Sequence, residues 1–194
     1  MCFHFQQTKS IAEIQQRFQV VGEGNGGIFN GFQHPQTPVI TNLSPQRLQN
    51  FSWGIIPHWS RDHKIRKYTL NAKLETINEK PSFRTAKRCL VLADGFFEWQ
   101  WLDAKGKQKQ KYLITNTAQE VFAFAGLWDE WVDQQSGELF YTYAIVTTEA
   151  QGIMREIHNT KLRMPFVLKP DEEKEWLQGG NVSPFTNFLA QPVQ

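Results

Sequence analysis

At 194 residues, with 40% hydrophobic and 13% aromatic content, the chain is long enough for one domain with a sizeable core, and this composition excludes intrinsic disorder. No apolar run approaches the roughly 20 residues of a membrane span, and Met1-Cys2-Phe3-His4 leads into polar Gln6-Gln7-Thr8 rather than a signal-peptide core, so a cytosolic protein is expected. Net charge is only +2, yet the stretch from Arg61 to Lys111 holds 13 Lys or Arg against 6 Asp or Glu, which points to a local polyanion contact rather than general basicity.

Ser10 reads as the N-cap of a helix carrying Ile11, Ile14 and Phe18 on one face, ended by Gly22. The turn-rich stretch from Gly24 through Pro38 reads as short strands and loops, and Phe51 to Ile56 as a strand closed by Pro57. A helix is predicted over Ala72 to Glu79. From Arg88 onward the pattern is β: Cys89 to Leu92, Phe96 to Leu102 and Tyr112 to Ile114 read as strands, and the alternating alanine, phenylalanine, tyrosine and threonine of Val121 to Trp131 and Leu139 to Thr147 as a long hairpin. Further helices are predicted over Glu149 to Ile157 and over Asp171 to Leu177, the last introduced by Pro170. No repeat or linker divides the chain. The expected class is α+β: a single β-dominated domain over residues 1–194, with mostly antiparallel sheets in a barrel-like core, peripheral helices, and a C-terminal helix and tail from 170.

Two residues could supply sulfur chemistry. A reducing cytosol argues against pairing Cys2 with Cys89; Cys89 lies in an apolar strand and reads as core. Removal of the initiator Met would leave Cys2 with a free α-amine beside its thiol. Such a 1,2-aminothiol condenses with an aldehyde to an imine and then closes a five-membered thiazolidine ring. Ordinary values of about 7.7–8 for the amine and about 8.5 for the thiol would leave both partly available at neutral pH. Position alone fits an ordinary buried cysteine equally well. The five histidines, His4, His34, His58, His63 and His158, show no ligand spacing with the two cysteines, so neither a metal nor another cofactor is expected.

Four further segments change the weight on Cys2. They are Trp53-Gly54-Ile55-Ile56-Pro57-His58-Trp59; Asn71-Ala72-Lys73-Leu74-Glu75-Thr76 with Lys80-Pro81-Ser82-Phe83-Arg84; the run from Arg88 through Ala93-Asp94-Gly95-Phe96-Phe97-Glu98-Trp99; and Ile157-His158 ahead of Arg163-Met164-Pro165. Together with Met1-Cys2, and in this order from residue 2 to 168, they resemble the signature elements of the SRAP family, the SOS-response-associated peptidase-like proteins that process abasic sites. The resemblance implies a partner, single-stranded DNA containing an abasic site, and a reaction in which Cys2 forms a thiazolidine with the ring-opened sugar aldehyde. It implies that Asn71 orients the N-terminus and the aldehyde, that Glu98 moves protons during ring opening, and that His158 assists imine formation. It further implies Lys73 and Arg163 near the lesion's phosphates, Trp59 with Pro38 as a wedge under a turned strand, and His4 in place of a phosphate-binding Arg. A monomer, nucleoid-associated when engaged on DNA, is expected.

Each residue also has a plainer reading. Asn71 alone could cap the helix at Ala72, Glu98 could face solvent from its strand, and His158 could sit at a helix end, where positive charge is favoured. The chain departs from the family pattern in several places: Phe3-His4 replaces Gly-Arg, Lys73 replaces an Arg and loses its bidentate fork, Leu92 replaces a Pro, and the spacing from His158 to Arg163 is three residues longer than His-x-Arg. Two other functions fit the same residues. One is an N-terminal-nucleophile amidase or self-processing peptidase, with Cys2 as nucleophile and Asn71 at the oxyanion. The other is a single-strand binding module with an inert Cys2.

Overall fold

The computed structural model describes residues 1–118 and 120–194. In chain order the elements are β1 (His4–Gln7), α1 (Ile11–Phe18), β2 (Gly27–Asn30), β3 (Gln36–Thr41), β4 (Ser44–Trp53), β5 (Asn71–Lys73), β6 (Lys87–Ala93), β7 (Gly95–Trp101), β8 (Lys109–Asn116), β9 (Phe122–Val132), β10 (Leu139–Glu149), α2 (Met154–Ile157), β11 (Arg163–Pro165), α3 (Glu173–Leu177) and β12 (Phe188–Val193). Short 3-10 turns occupy Gly31–Gln33, His63–Tyr68, Leu74–Thr76 and Pro170–Glu172.

Strands β4, β3, β6, β9 and β10 bond in that order, and β10 returns to β4, so these five close on themselves. Closure leaves these strands no free edge. The seam is parallel, with Thr142 beside Ser52 and Tyr143 beside Trp53, and β5 also runs parallel to β10; the other ladders are antiparallel. A second sheet, β12-β8-β7-β1-β2, packs alongside. The β6 and β9 strands are buried on both faces, which explains their continuous apolar runs. One set of their side chains, Cys89, Val91 and Phe124, joins Phe5, Trp53 and Phe96. The alternate set, Leu90, Leu92, Ala123 and Ala125, joins Ile14 of α1 and Trp176 of α3. The architecture is therefore the β-dominated barrel with peripheral helices that the pattern predicts.

The helices need correction. Ser10 caps α1 as expected, and it forms a reciprocal capping box with Glu13. The helix stops at Gln19 in the left-handed conformation, ahead of Gly22. No helix forms over Ala72 to Glu79. Asn71, Ala72 and Lys73 pair with Ile145, Val146 and Thr147, because docking on β10 satisfies a backbone that a solvent-facing helix would have to satisfy alone; a single 3-10 turn follows. Glu149 likewise ends β10 instead of starting a helix, and α2 begins only at Met154. The strand predicted from Phe51 begins earlier, at Ser44, and ends at Trp53.

Candidate functional site

Strand β1 carries Cys2 to the site, and a buried carboxylate fixes its other end. Asp94, at the β6–β7 turn, accepts hydrogen bonds from the Gln6 amide group, the Thr8 amide and hydroxyl, and the Lys9 amide. Four donors on one carboxylate lock β1 in register with β7, where His4 faces Phe97 and Gln6 faces Gly95. Sequence reading placed Asp94 inside a motif but gave it no task; a carboxylate in an apolar run, which requires donors when buried, was the available signal.

At the head of β1 the polar groups converge. The Asn71 side-chain amide donates to the Cys2 carbonyl at 2.8 Å, which its place in a strand, not at a helix cap, makes possible. Glu98 projects from β7 with 4% of its surface exposed, its Oε1 lying 3.5 Å from the Met1 ammonium. His158, at the end of α2, brings Nε2 to 2.8 Å from the same nitrogen and 3.7 Å from Glu98 Oε2. The solvent-facing reading of Glu98 and the surface reading of His158 both fail, since each is more than nine-tenths buried.

Burial sets the electrostatics. Desolvation raises Glu98 to about 7, with the nearby ammonium and hydrogen bonds to the N-terminus and the backbone pulling the other way. Desolvation, reinforced by the ammonium, lowers His158 to about 4. The Glu98–His158 contact is thus not an ion pair at neutral pH, because the imidazole is uncharged there. The Arg163 amide donates to His158 Nδ1 at 3.2 Å, so the neutral ring carries its proton on Nε2, which the N-terminal nitrogen 2.8 Å away can accept only as the uncharged amine. The lengthened segment between His158 and Arg163 makes this bond possible: Leu162 adopts a left-handed conformation, with φ of 49°, and its amide returns to the His158 carbonyl at 3.0 Å. The extra residues close on themselves and leave His158 in the site.

Cys2 departs from expectation. With Met1 in place it is fully buried, its thiol packs toward the His4 carbonyl, and burial followed by the Glu98 charge pushes the thiol far above its ordinary range. The sulfur is therefore protonated at neutral pH. A surface hollow between α1 and α3, above Ile40 and Leu90, contains none of these groups; the Met1 nitrogen lies beside Glu98 and His158.

The residues assigned to DNA divide. Lys73 is exposed on β5 two positions beyond Asn71, and Trp59 is half exposed, its indole N–H donating to the Pro81 carbonyl. Arg163 turns its guanidinium inward to a bidentate pair with Glu75 at 2.8 and 3.0 Å and to the Thr147 carbonyl. Glu75, a partner that sequence reading missed, competes with any phosphate for that fork. The His4 ring packs edge-on against Trp99; desolvation and Lys111 lower its pKa, so it offers no positive charge at neutral pH. Pro38 is buried in β3 opposite Asn50 and presents little surface to a base.

Fold and site together define a class: a closed β-barrel protein whose buried acid and imidazole converge on the amino-terminal nitrogen of Met1, beside a Cys2 carbonyl held by a carboxamide. The family model described as SOS response associated peptidase (SRAP) matches residues 1–194, and the chain belongs to that family. It is 44% identical over 149 residues to the abasic site processing protein YoaM of Bacillus subtilis, a match covering 75% of this chain and 63% of that relative. It is 31% identical over 208 residues to the abasic site processing protein HMCES of Xenopus tropicalis, covering 85% of this chain and 60% of that one. A crystal structure from Bacteroides thetaiotaomicron superposes with a TM-score of 0.90 at 33% identity, covering 100% of this chain and 92% of the other. A second, from Bordetella bronchiseptica, shares the fold with a TM-score of 0.81 at 22% identity, covering both chains completely.

Proposed function

We propose that this protein processes abasic sites in single-stranded DNA by forming a covalent link through Cys2 once Met1 is removed. The observation that carries this reading is the convergence of Glu98, His158 and the N-terminal nitrogen within 3.7 Å, beside a Cys2 carbonyl fixed by Asn71. With Met1 in place, its carbonyl carbon is bonded to the Cys2 nitrogen. That carbon stands where the aldehyde carbon of an opened abasic sugar would stand after joining the same nitrogen, so groups that surround Met1 would surround the lesion.

The chemistry follows from the protonation states. The Cys2 thiol is held neutral by burial, so the α-amine is the first nucleophile. It adds to the aldehyde, and loss of water gives an imine. His158, carrying its proton on Nε2, is placed to donate to the departing oxygen. Glu98, near its midpoint at neutral pH, accepts the thiol proton as sulfur adds to the imine carbon, and the nitrogen takes up a proton as the ring closes. Proton-transfer groups of this kind contribute about 10²–10⁴-fold each. Lys73 and Trp59 are the exposed side chains fitted to hold a strand, by charge and by stacking.

The competing peptidase reading requires the Cys2 sulfur to attack the Met1 carbonyl as a thiolate, which burial of that sulfur opposes. Intact-mass measurement after incubation with abasic single-stranded DNA tests the proposal. One adduct per chain is expected in the wild type and none in Cys2→Ala; an adduct that survives Cys2→Ala would overturn it.

A further inference from the structure

The segment that separates His158 from Arg163 carries one side chain whose contacts lead back to the other half of the site. Asn159 lies at the surface and grips the main chain of Trp101 from both sides. Its Oδ1 accepts from the Trp101 amide at 3.1 Å, and its Nδ2 donates to the Trp101 carbonyl at 2.9 Å. An asparagine that spends both ends of its amide on one residue imitates the pairing of an adjacent strand. Trp101 ends β7, three residues beyond Glu98, and Asn159 directly follows His158. One residue back on β7 and three residues back from Asn159, a second tie runs from the Gln100 side-chain amide to the Glu156 carbonyl at 3.2 Å, with the Tyr112 hydroxyl donating to Gln100 Oε1.

We propose that Asn159 is a positioning residue that holds the His158 imidazole against the Glu98 carboxyl by clasping the end of β7. Helix α2 has only four residues, too few to be rigid alone, and within its own segment the ring is held only by backbone bonds to its Nδ1, amide and carbonyl. Those bonds set its tautomer and local turn. They do not set its distance from β7. The Asn159 clasp, with the Gln100 tie beside it, does, and opening the clasp would admit water to Glu98. Only the kinetic part of the test below rests on the function proposed above.

Wild type, Asn159→Ala and Asn159→Asp, each with Met1 removed, are compared by two measurements. The first is the rate of covalent adduct formation at saturating abasic single-stranded DNA, with affinity for an intact strand as control. The second is the titration midpoint of the Glu98 carboxyl, followed by NMR without DNA. Asn159→Ala is expected to slow the adduct about 10–100-fold, the cost of a misplacement on the order of 1 Å, with affinity for the intact strand unchanged. Its Glu98 midpoint, raised by burial, should fall toward the ordinary glutamate value. Asn159→Asp, which keeps the acceptor for the Trp101 amide but turns a carboxylate toward the Trp101 carbonyl, should fall between, and it decides the matter if the alanine variant does not fold. A Glu98 midpoint that stays fixed overturns the proposal whatever the adduct rate does. If wild type makes no adduct while the midpoint moves, the positioning role stands and the abasic-site function falls.

Discussion

Cys2 and Cys89 are both fully buried free cysteines, and burial drives both thiols upward, but they sit in opposite kinds of surroundings. Cys89 belongs to the barrel wall. It pairs with Gly126 across the β6–β9 ladder, its carbonyl accepts the Trp176 indole N–H, and desolvation alone accounts for its shift. Cys2 lies at the end of the neighbouring sheet among groups that can exchange protons: Glu98 and the N-terminal nitrogen both act on its thiol, and Asn71 holds its carbonyl. The corner also contains a buried polar atom left without a hydrogen-bond partner, Asn71 Oδ1. Burial of the sulfur is common to both places. What separates the Cys2 corner from the structural wall is polarity close to that sulfur, the setting in which a reactive role is proposed.

Three substitutions probe this contrast, from the largest expected effect to the smallest. Glu98→Gln removes the proton acceptor and should slow adduct formation about 10²-fold or more, abolishing a rise in rate through about pH 7. It should also alter stability with a definite sign. The folded state raises Glu98 from 4.5 to about 7, so it binds that proton more tightly than the unfolded chain. Ionisation therefore costs stability as pH rises through this window, by up to about 3 kcal/mol above it. The glutamine variant should unfold at higher denaturant than wild type near about pH 8 and lose that advantage near about pH 4.5. A corner that is less active yet more stable is the signature of strain held for function.

Gly126→Ala attacks the wall. An added Cβ would lie 2.7 Å from Cys89 Sγ and 2.8 Å from Val91 Cγ2, in a ladder with little room to shift. A loss of about 1–3 kcal/mol in chemical denaturation is expected, with the adduct rate of the folded fraction unchanged; a change in that rate would mean that wall and corner are coupled. Asn71→Ala removes one hydrogen bond to the Cys2 carbonyl. Its effect on the adduct rate should be the smallest, about tenfold at most, seen under single-turnover conditions with no change in affinity for an intact strand.

Much of the barrel was legible from local pattern. The continuous apolar run of β6 and the alternation in β9 and β10 mark strands whatever surrounds them, and Ser10 with Glu13 carries its helix start in four residues. The failures have a common cause. Asn71-Ala72-Lys73 has a composition that suits a helix, and only β10 lying alongside makes it a strand. The burial of Pro38 in β3 and the pairing of Arg163 with Glu75, 88 residues earlier in the chain, are likewise invisible to local pattern.

The sequence by itself singled out Cys2, Asn71, Glu98 and His158 as one set, because motif order along the chain survives without coordinates. The tertiary structure alone decided their protonation and placement. Glu98 is raised and His158 lowered because remote strands exclude water from both, and the lengthened segment after His158 leaves the imidazole beside Glu98 because it folds back on His158 and bonds Trp101. Desolvation and long-range hydrogen bonds belong to the assembled molecule and leave no pattern in neighbouring residues.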